Sequence, residues 1–255
     1  MAFDLKSISK TRRLDAPKIL LSGEPKIGKS TFAASAPGAI FISTEDGLAG
    51  LDANAFPLAR SLADVYAAIG TLLQDKHDFG TVVVDSLDWL EPLIHAHVCA
   101  TNGWKDIEAP GYGKGYVAAA SEWKQILDGL EALRRERGMA VILICHVKQQ
   151  RIESPTHEGY DAYVLKMHAR ASSLVEEWCD IVGFAAHRIA IKATDAGFNK
   201  KENKAKSLGE RMLYLDPHPA YPSGSRFGLH DCALSWPAFA DQLTQAQQPA
   251  ALKAA

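Results

Sequence analysis

Gly23-Glu24-Pro25-Lys26-Ile27-Gly28-Lys29-Ser30 fits the pattern GxxxxGK[ST], and its neighbours give it a telling setting. Before it, Lys18-Ile-Leu-Leu-Ser22 is a short apolar run of the kind that forms a buried strand. After it, Lys29–Ala36 consists of small, helix-compatible residues and stops at Pro37-Gly38. A glycine-rich turn between a strand and a helix lets several backbone N–H groups face one anion. The helix N-terminus adds partial positive charge. In that arrangement the Lys29 ammonium reaches the β- and γ-phosphates of a nucleotide, and the Ser30 hydroxyl ligates Mg²⁺. Gly23, Glu24, Pro25, Lys26, Ile27, Gly28, Lys29, Ser30 and Thr31 are therefore the expected nucleotide-binding set.

Downstream, strand and helix patterns keep alternating. Ala39-Ile-Phe-Ile-Ser43 reads as a second strand. Apolar residues at 62, 65, 66, 69, 72 and 73 form a helical stripe over Leu62–Gln74, with Ser61 as N-cap. Thr81-Val-Val-Val84 is almost purely β-branched, which suits a central strand buried on both faces. Leu87–Ala100 reads as helix, residues 103–115 as a Gly-rich loop, Tyr116–Arg137 as a long helix ending at Gly138, and Met139–Cys145 as another buried strand. The pattern predicts an α/β fold, a mostly parallel sheet with helices on both faces. Between Ile181 and Leu215, strands joined by polar turns predict an added antiparallel edge. The expected organisation is an N-terminal arm over 1–16, one domain over 17–245 that closes with a short helix at Pro237–Gln245, and a disordered Ala- and Gln-rich tail over 246–255.

A chain of 255 residues has room for one large domain and a sizeable core. Lys plus Arg number 28 and Asp plus Glu 30, a formal charge of −2, which excludes a polycation but not a local basic face. The 47% hydrophobic and 23% charged fractions exclude a disordered chain. Cys99, Cys145, Cys179 and Cys232 stand 46, 34 and 53 residues apart, too far for zinc-module pairs, and are expected to be reduced thiols. The start, MAFDLKSISKTRR, lacks the apolar stretch of a signal peptide, and runs such as Ala140–Cys145 are too short to span a bilayer. A cytoplasmic protein without membrane contact is expected.

Three further strand ends carry polar residues suited to phosphate chemistry. In Val82-Val-Val-Asp85-Ser86, Asp85 ends a buried strand, where it would hold Mg²⁺ through its water shell. The competing reading of Asp85 is an N-cap for the helix at Leu87, and the two roles are compatible. In Phe41-Ile-Ser-Thr-Glu45-Asp46-Gly47, two carboxylates follow a strand. Hydrolysis needs a carboxylate that orients or deprotonates water, and Glu45 is placed for this, with Asp46 as the alternative. His146 ends Val141-Ile-Leu-Ile-Cys-His146, where a donor would sense the γ-phosphate.

These four strand ends, in this order, resemble the RecA-like P-loop NTPase core over roughly residues 17–215. The resemblance implies an ATPase using ATP and Mg²⁺, with Glu45, Lys29 and His146 as catalytic residues and Ser30 and Asp85 at the metal. In that superfamily the sensor is usually Gln, here His146, and Thr81 departs from an otherwise apolar Walker B strand. More narrowly, Gly111-Tyr-Gly-Lys-Gly-Tyr116, Ile144-Cys-His146, Glu177-Trp-Cys-Asp180 and Arg226-Phe-Gly228 are similar to short phage-encoded RecA-like ATP-binding proteins implicated in single-strand annealing. That likeness implies single-stranded DNA as partner, a homo-oligomer (ring or filament) with ATP at the subunit interface, and a single-strand-binding protein as a further partner. Such proteins are expected to carry Lys-Asn-Arg where this chain reads Gly224-Ser-Arg226. A cation inserted at a neighbour's γ-phosphate would then be Arg226 alone, or Arg226 helped by Arg211.

Between Arg188 and Arg211, seven Lys or Arg face three acids, a local +4 that contains Lys200, Lys201, Lys204, Lys206 and the aromatic Phe198. Such a segment suits a phosphate backbone, and equally a solvated hairpin tip. A second candidate for DNA contact is the loop expected over Lys148–Tyr163, with Lys148, Arg151, Tyr160 and Tyr163; a third is Gly111–Tyr116. The competing activities are a hexameric motor of helicase or packaging type and a P-loop small-molecule kinase. No Arg-rich lid favours the kinase, and no extra partner-binding domain favours the motor.

Overall fold

The computed structural model describes residues 16–155, 158–195 and 201–247. Residues 1–15 of the expected arm, 248–255 of the expected tail, and Phe198 and Lys200 of the basic segment lie outside the described residues, as do the side chains of Lys192, Lys201, Lys204 and Lys206.

The elements run β1 (Lys18–Gly23), α1 (Lys29–Ala34), β2 (Ala39–Ser43), β3 (Asn54–Ala55), α2 (Leu62–Gln74), β4 (Thr81–Asp85), α3 (Leu87–Asn102), α4 (Lys114–Arg137), β5 (Ala140–Ile152), β6 (Tyr160–Leu165), α5 (Ala169–Trp178), β7 (Ile181–Asp195), β8 (Lys201–Tyr214), β9 (Gly224–Ser225), β10 (Cys232–Ala233) and α6 (Trp236–Gln247). The sheet order is β10-β8-β7-β1-β5-β4-β2-β3. Strands β7, β1, β5, β4, β2 and β3 are parallel, whereas β8 is antiparallel to β7 and β10 to β8. This is the expected α/β architecture with its antiparallel edge.

Period-2 alternation sends the strand side chains to two cores. Leu20, Val82, Val84, Val141 and Leu143 pack with residues of α2, α3, α4 and α5. Ile19, Leu21, Val83, Ile142 and Ile144 pack with Phe32 and Ala33 of α1 and Phe239 of α6. Burial on both faces is why these strands read as near-continuous apolar runs. Phe32 meets Trp236 and Phe239 edge-on, at ring centroid distances of 5.4 and 5.6 Å, which seats α6 on α1. The expected Ser61 cap is present: the Asp64 amide donates to Ser61 Oγ, and the Asp64 carboxylate accepts from the Ser61 amide, a complete capping box.

Two expectations are corrected. Strand β5 does not end at Cys145; it runs on to Ile152 and pairs antiparallel with β6. The loop expected over Lys148–Tyr163 is thus mostly a two-stranded ribbon. Its outer half has no buried face, so the apolar signal stops although the strand continues. Helix α5 was not anticipated; its apolar stripe Ala171, Leu174, Val175 and Trp178 packs on the helical core. Among the described residues, no helix is long and apolar enough to cross a membrane. All four cysteines are free thiols.

The strand order positions the site. Strand β5 lies between β1 and β4, so His146 ends up between the glycine-rich turn and Asp85. Gly23 is opposite His146 in register, and Ser43 is opposite Asp85.

Candidate active site

The turn from β1 to α1 depends on two glycines at φ 155° and 108°. A Cβ on Gly23 would lie 2.4 Å from the Ala185 carbonyl oxygen, and one on Gly28 would lie 2.6 Å from Arg211 Nη1. A side chain at Gly23 would therefore push the loop off the β7 backbone, whereas at Gly28 the left-handed φ is the main constraint, since the Arg211 side chain can move aside. Lys29, only 5% exposed, folds under this turn. Its Nζ donates to the Gly23 carbonyl at 3.0 Å and the Glu24 carbonyl at 2.9 Å. Burial pushes the Lys29 pKa down, and the nearby Asp85 carboxylate opposes that shift.

Ser30 Oγ donates to Asp85 Oδ2 at 2.6 Å. Burial raises the Asp85 pKa, opposed by Ser30 and Lys29. A hydroxyl and a carboxylate side by side are the hard oxygen donors that Mg²⁺ takes, so the pair fits that ion. Thr44 joins the ends of β2 and β4: its amide donates to the Asp85 carbonyl at 2.8 Å, its hydroxyl donates to the Ser86 carbonyl at 2.7 Å, and that hydroxyl accepts from the Ser86 amide at 3.0 Å. The next residue, Glu45, is thereby fixed near Asp85. Burial raises the Glu45 pKa, the neighbouring His146 lowers it, and Asp85 raises it further.

His146 is held by Asp88, a residue that sequence reasoning missed. Its Nδ1 is 3.1 Å from both Asp88 carboxylate oxygens, and its amide donates to Oδ1 at 3.1 Å. The Asp88 side chain is 2% exposed. Burial would raise its pKa, but the bonds from His146 outweigh this and leave it lowered. With Nδ1 engaged, Nε2 is the ring nitrogen left for a ligand.

These side chains share one cleft of about 650 Å³, lined by Lys29, Ser30, Glu45, Asp85, His146 and Arg211 among others. Pro25, Lys26, Gly28 and Thr31 line it too, whereas Asp46 is exposed outside it. Ile27 is buried and turns its carbonyl toward Arg211 Nη1, at 3.4 Å. The segment Gly47–Leu51 supplies an apolar wall that sequence reasoning did not foresee.

Arg226, expected at a neighbouring subunit's γ-phosphate, lies away from this chain's own cleft. Strand β9 pairs with the first residues of β7, at the opposite end of the sheet from the glycine-rich turn. At about 3.3 Å per residue, the length of β1 puts roughly 17 Å between the two ends. There Arg226 donates to Asp180 Oδ1 at 3.0 Å and to the Glu177 carbonyl at 2.7 Å. The guanidinium in the cleft is Arg211.

Of the expected DNA-contacting residues, Lys148 is exposed and donates to the Met167 carbonyl at 3.4 Å. Arg151 lies 3.6 Å from Glu153 and 3.9 Å from Asp161. In the third candidate loop Tyr112 is fully exposed, while Tyr116 stacks on His168 at 3.8 Å.

A strand–glycine turn–helix holding Lys29 and Ser30 against a strand-end aspartate is the phosphate site of a P-loop ATPase. A family described as an AAA domain matches residues 15–227, and the chain belongs to that family. Among solved structures, that of the RadB recombinase is similar, with a TM-score of 0.45 and 18% identity over 82% of this chain and 86% of that chain. Curated proteins yield no match.

Proposed function

We propose that the chain binds ATP with Mg²⁺ in this cleft, hydrolyses it slowly, and uses the cycle to govern its hold on single-stranded DNA as a homo-oligomer in phage-type recombination or annealing. The observation that carries the ATPase reading is the meeting of Lys29, Ser30, Asp85, Glu45 and His146 in one cleft. Lys29 would exchange its two carbonyl acceptors for β- and γ-phosphate oxygens, a swap of partners around a charge already in place. Ser30 and Asp85 would hold Mg²⁺, which supplies charge neutralisation on the phosphates when bound. Glu45 would take a proton from the attacking water as its oxygen bonds the γ-phosphorus and the β–γ bridging oxygen departs with its electron pair. A carboxylate raised by burial is a better base than an exposed one. His146 Nε2 would donate to the γ-phosphate, and Arg211 would add positive charge from the chain's own sheet.

Support for the DNA reading is topological. The β5–β6 ribbon grows out of the strand that ends the cleft at His146, so a change there has a rigid path to exposed Lys148 and Arg151. The β7–β8 hairpin carries the basic segment and, through Arg211, touches the phosphate loop. With ATP at a subunit interface, Arg226 would act on a neighbour's cleft. The experiment is an ATPase assay with and without single-stranded DNA, alongside a duplex-unwinding assay. Stimulation without unwinding is expected. Unwinding would favour a motor, and phosphate transfer to a small acceptor would favour a kinase.

A further inference from the structure

A second cleft, of about 530 Å³, opens beside the phosphate loop and is lined by Glu24, Tyr163, Phe184, His187, Tyr214 and Tyr221 among others. It lies on the other face of the sheet from α1. Ala185 and Leu213 pack in the core with α1, and their strand neighbours Phe184 and Tyr214, themselves register partners, alternate to the opposite side. The lining is aromatic. Tyr221 stacks on Phe184 at 4.4 Å and 12°, and His218 stacks on Tyr221 at 4.4 Å and 11°. Tyr163 reaches Phe184 at 5.3 Å, and Tyr214 reaches Tyr221 at 5.4 Å. Phe184 is buried as the floor and Tyr221 lies between Phe184 and His218, whereas Tyr163 and Tyr214 are partly buried and line the cleft. At the rim stand exposed His187, Arg188 and Ile189.

We propose that this cleft takes a base of single-stranded DNA, stacked against Tyr163 and Tyr214, with the backbone running past Arg188 at the rim. The proposal rests on the single-stranded DNA reading above. Flat π-faces accept any base, and Arg188, which bonds Glu210 at 3.1 Å, would exchange that carboxylate for a backbone phosphate. The cleft is also wired to the first one. The Tyr163 hydroxyl lies 3.5 Å from Glu24 Oε1, and the Glu24 carbonyl holds Lys29. The Tyr163 amide donates to the Ala220 carbonyl at 2.8 Å, fixing the ribbon to the cleft wall. When Lys29 turns to phosphate it releases Glu24, so base and nucleotide act on one residue from two sides.

The test is fluorescence anisotropy with an oligothymidylate and an abasic deoxyribose-phosphate strand of equal length. The wild type should prefer the base-bearing strand by about 5- to 150-fold, the span of one stacked base. Tyr163→Leu should reduce that preference at least about fivefold with little change in affinity for the abasic strand, whereas Tyr163→Phe should keep it. Equal losses on both strands, or no preference in the wild type, would overturn the cleft assignment and leave DNA binding standing. Binding to neither strand would overturn both readings. Should Tyr163→Leu not fold, photocrosslinking of wild type to a 5-iodouridine strand decides: adducts at Tyr163, Tyr214 or Tyr221 support the cleft, and adducts confined elsewhere overturn it.

Discussion

Lys29 is the residue whose loss should cost most. It is buried under the phosphate loop and bonds only backbone carbonyls of that loop in its resting pose, so Lys29→Ala should abolish tight nucleotide binding while the fold persists. Titration calorimetry checks the first point and a circular dichroism melt the second; unchanged affinity in a folded variant would remove the phosphate-site assignment. Asp88 makes a subtler case. It bonds His146 but does not itself line the cleft, so we treat it as a positioning residue. Asp88→Asn should lower kcat about 10- to 100-fold, a typical cost of losing a carboxylate that orients a functional histidine, and leave nucleotide affinity intact. A purely structural role would instead lower the melting temperature with kcat per folded molecule unchanged. The sequence made Lys29, Ser30 and Asp85 legible because phosphate chemistry fixes their spacing from strand ends. Asp88 was not, since an acid in the first turn of a helix already has an ordinary explanation in the helix dipole. Only β5, brought alongside α3, reveals its partner. Arg226 was singled out by its motif position, and within one chain it pairs with Asp180.

At the scale of elements, α2 and α4 offer stability tests apart from the site. Ser61→Ala removes one half of the α2 capping box and should cost about 1 kcal/mol. In a chain of this size that lowers Tm by about 2–4 °C. Glu131 on α4 is pushed up by burial, but Arg134, Arg135 and Lys18 together pull its pKa down to about 2. A folded pKa below the unfolded one stabilises the protein above the ordinary Glu range, and that stabilisation fades as pH falls toward 2. Glu131→Gln should therefore lower stability at neutral pH and flatten its fall between pH 4.5 and 2, as read by denaturant unfolding at several pH values. An unchanged pH profile would mean these ion pairs contribute nothing. The buried parallel strands were legible because both faces are covered and their apolar runs are unbroken. The β5–β6 ribbon was not, because a strand that leaves the core loses its hydrophobic pattern while keeping its hydrogen bonds. Helix α5 did carry a signal, the stripe Ala171, Leu174, Val175 and Trp178, but polar residues between them masked it.

For the whole molecule, one sheet joins the nucleotide cleft to the β5–β6 ribbon and to the β7–β8 pair, whose segment 188–211 carries a net +4 in sequence. Replacing Lys200, Lys201, Lys204 and Lys206 with Ala should weaken single-stranded DNA binding and reduce its log–log salt slope by about 0.7 for each phosphate that is no longer neutralised. Basal ATPase should survive, since these residues lie outside the nucleotide motifs. An unchanged slope would return the segment to a solvated hairpin, and an equal loss from Lys148 and Arg151 alone would move the DNA path to the ribbon. All of this presupposes that the cleft turns ATP over, and single-turnover hydrolysis by Glu45→Gln, with nucleotide affinity measured on the same sample, tests that most directly. The account predicts unchanged affinity, a rate about 10²- to 10⁴-fold lower, and a much smaller effect from Asp46→Asn. A Glu45→Gln enzyme that hydrolyses ATP at the wild-type rate would contradict it.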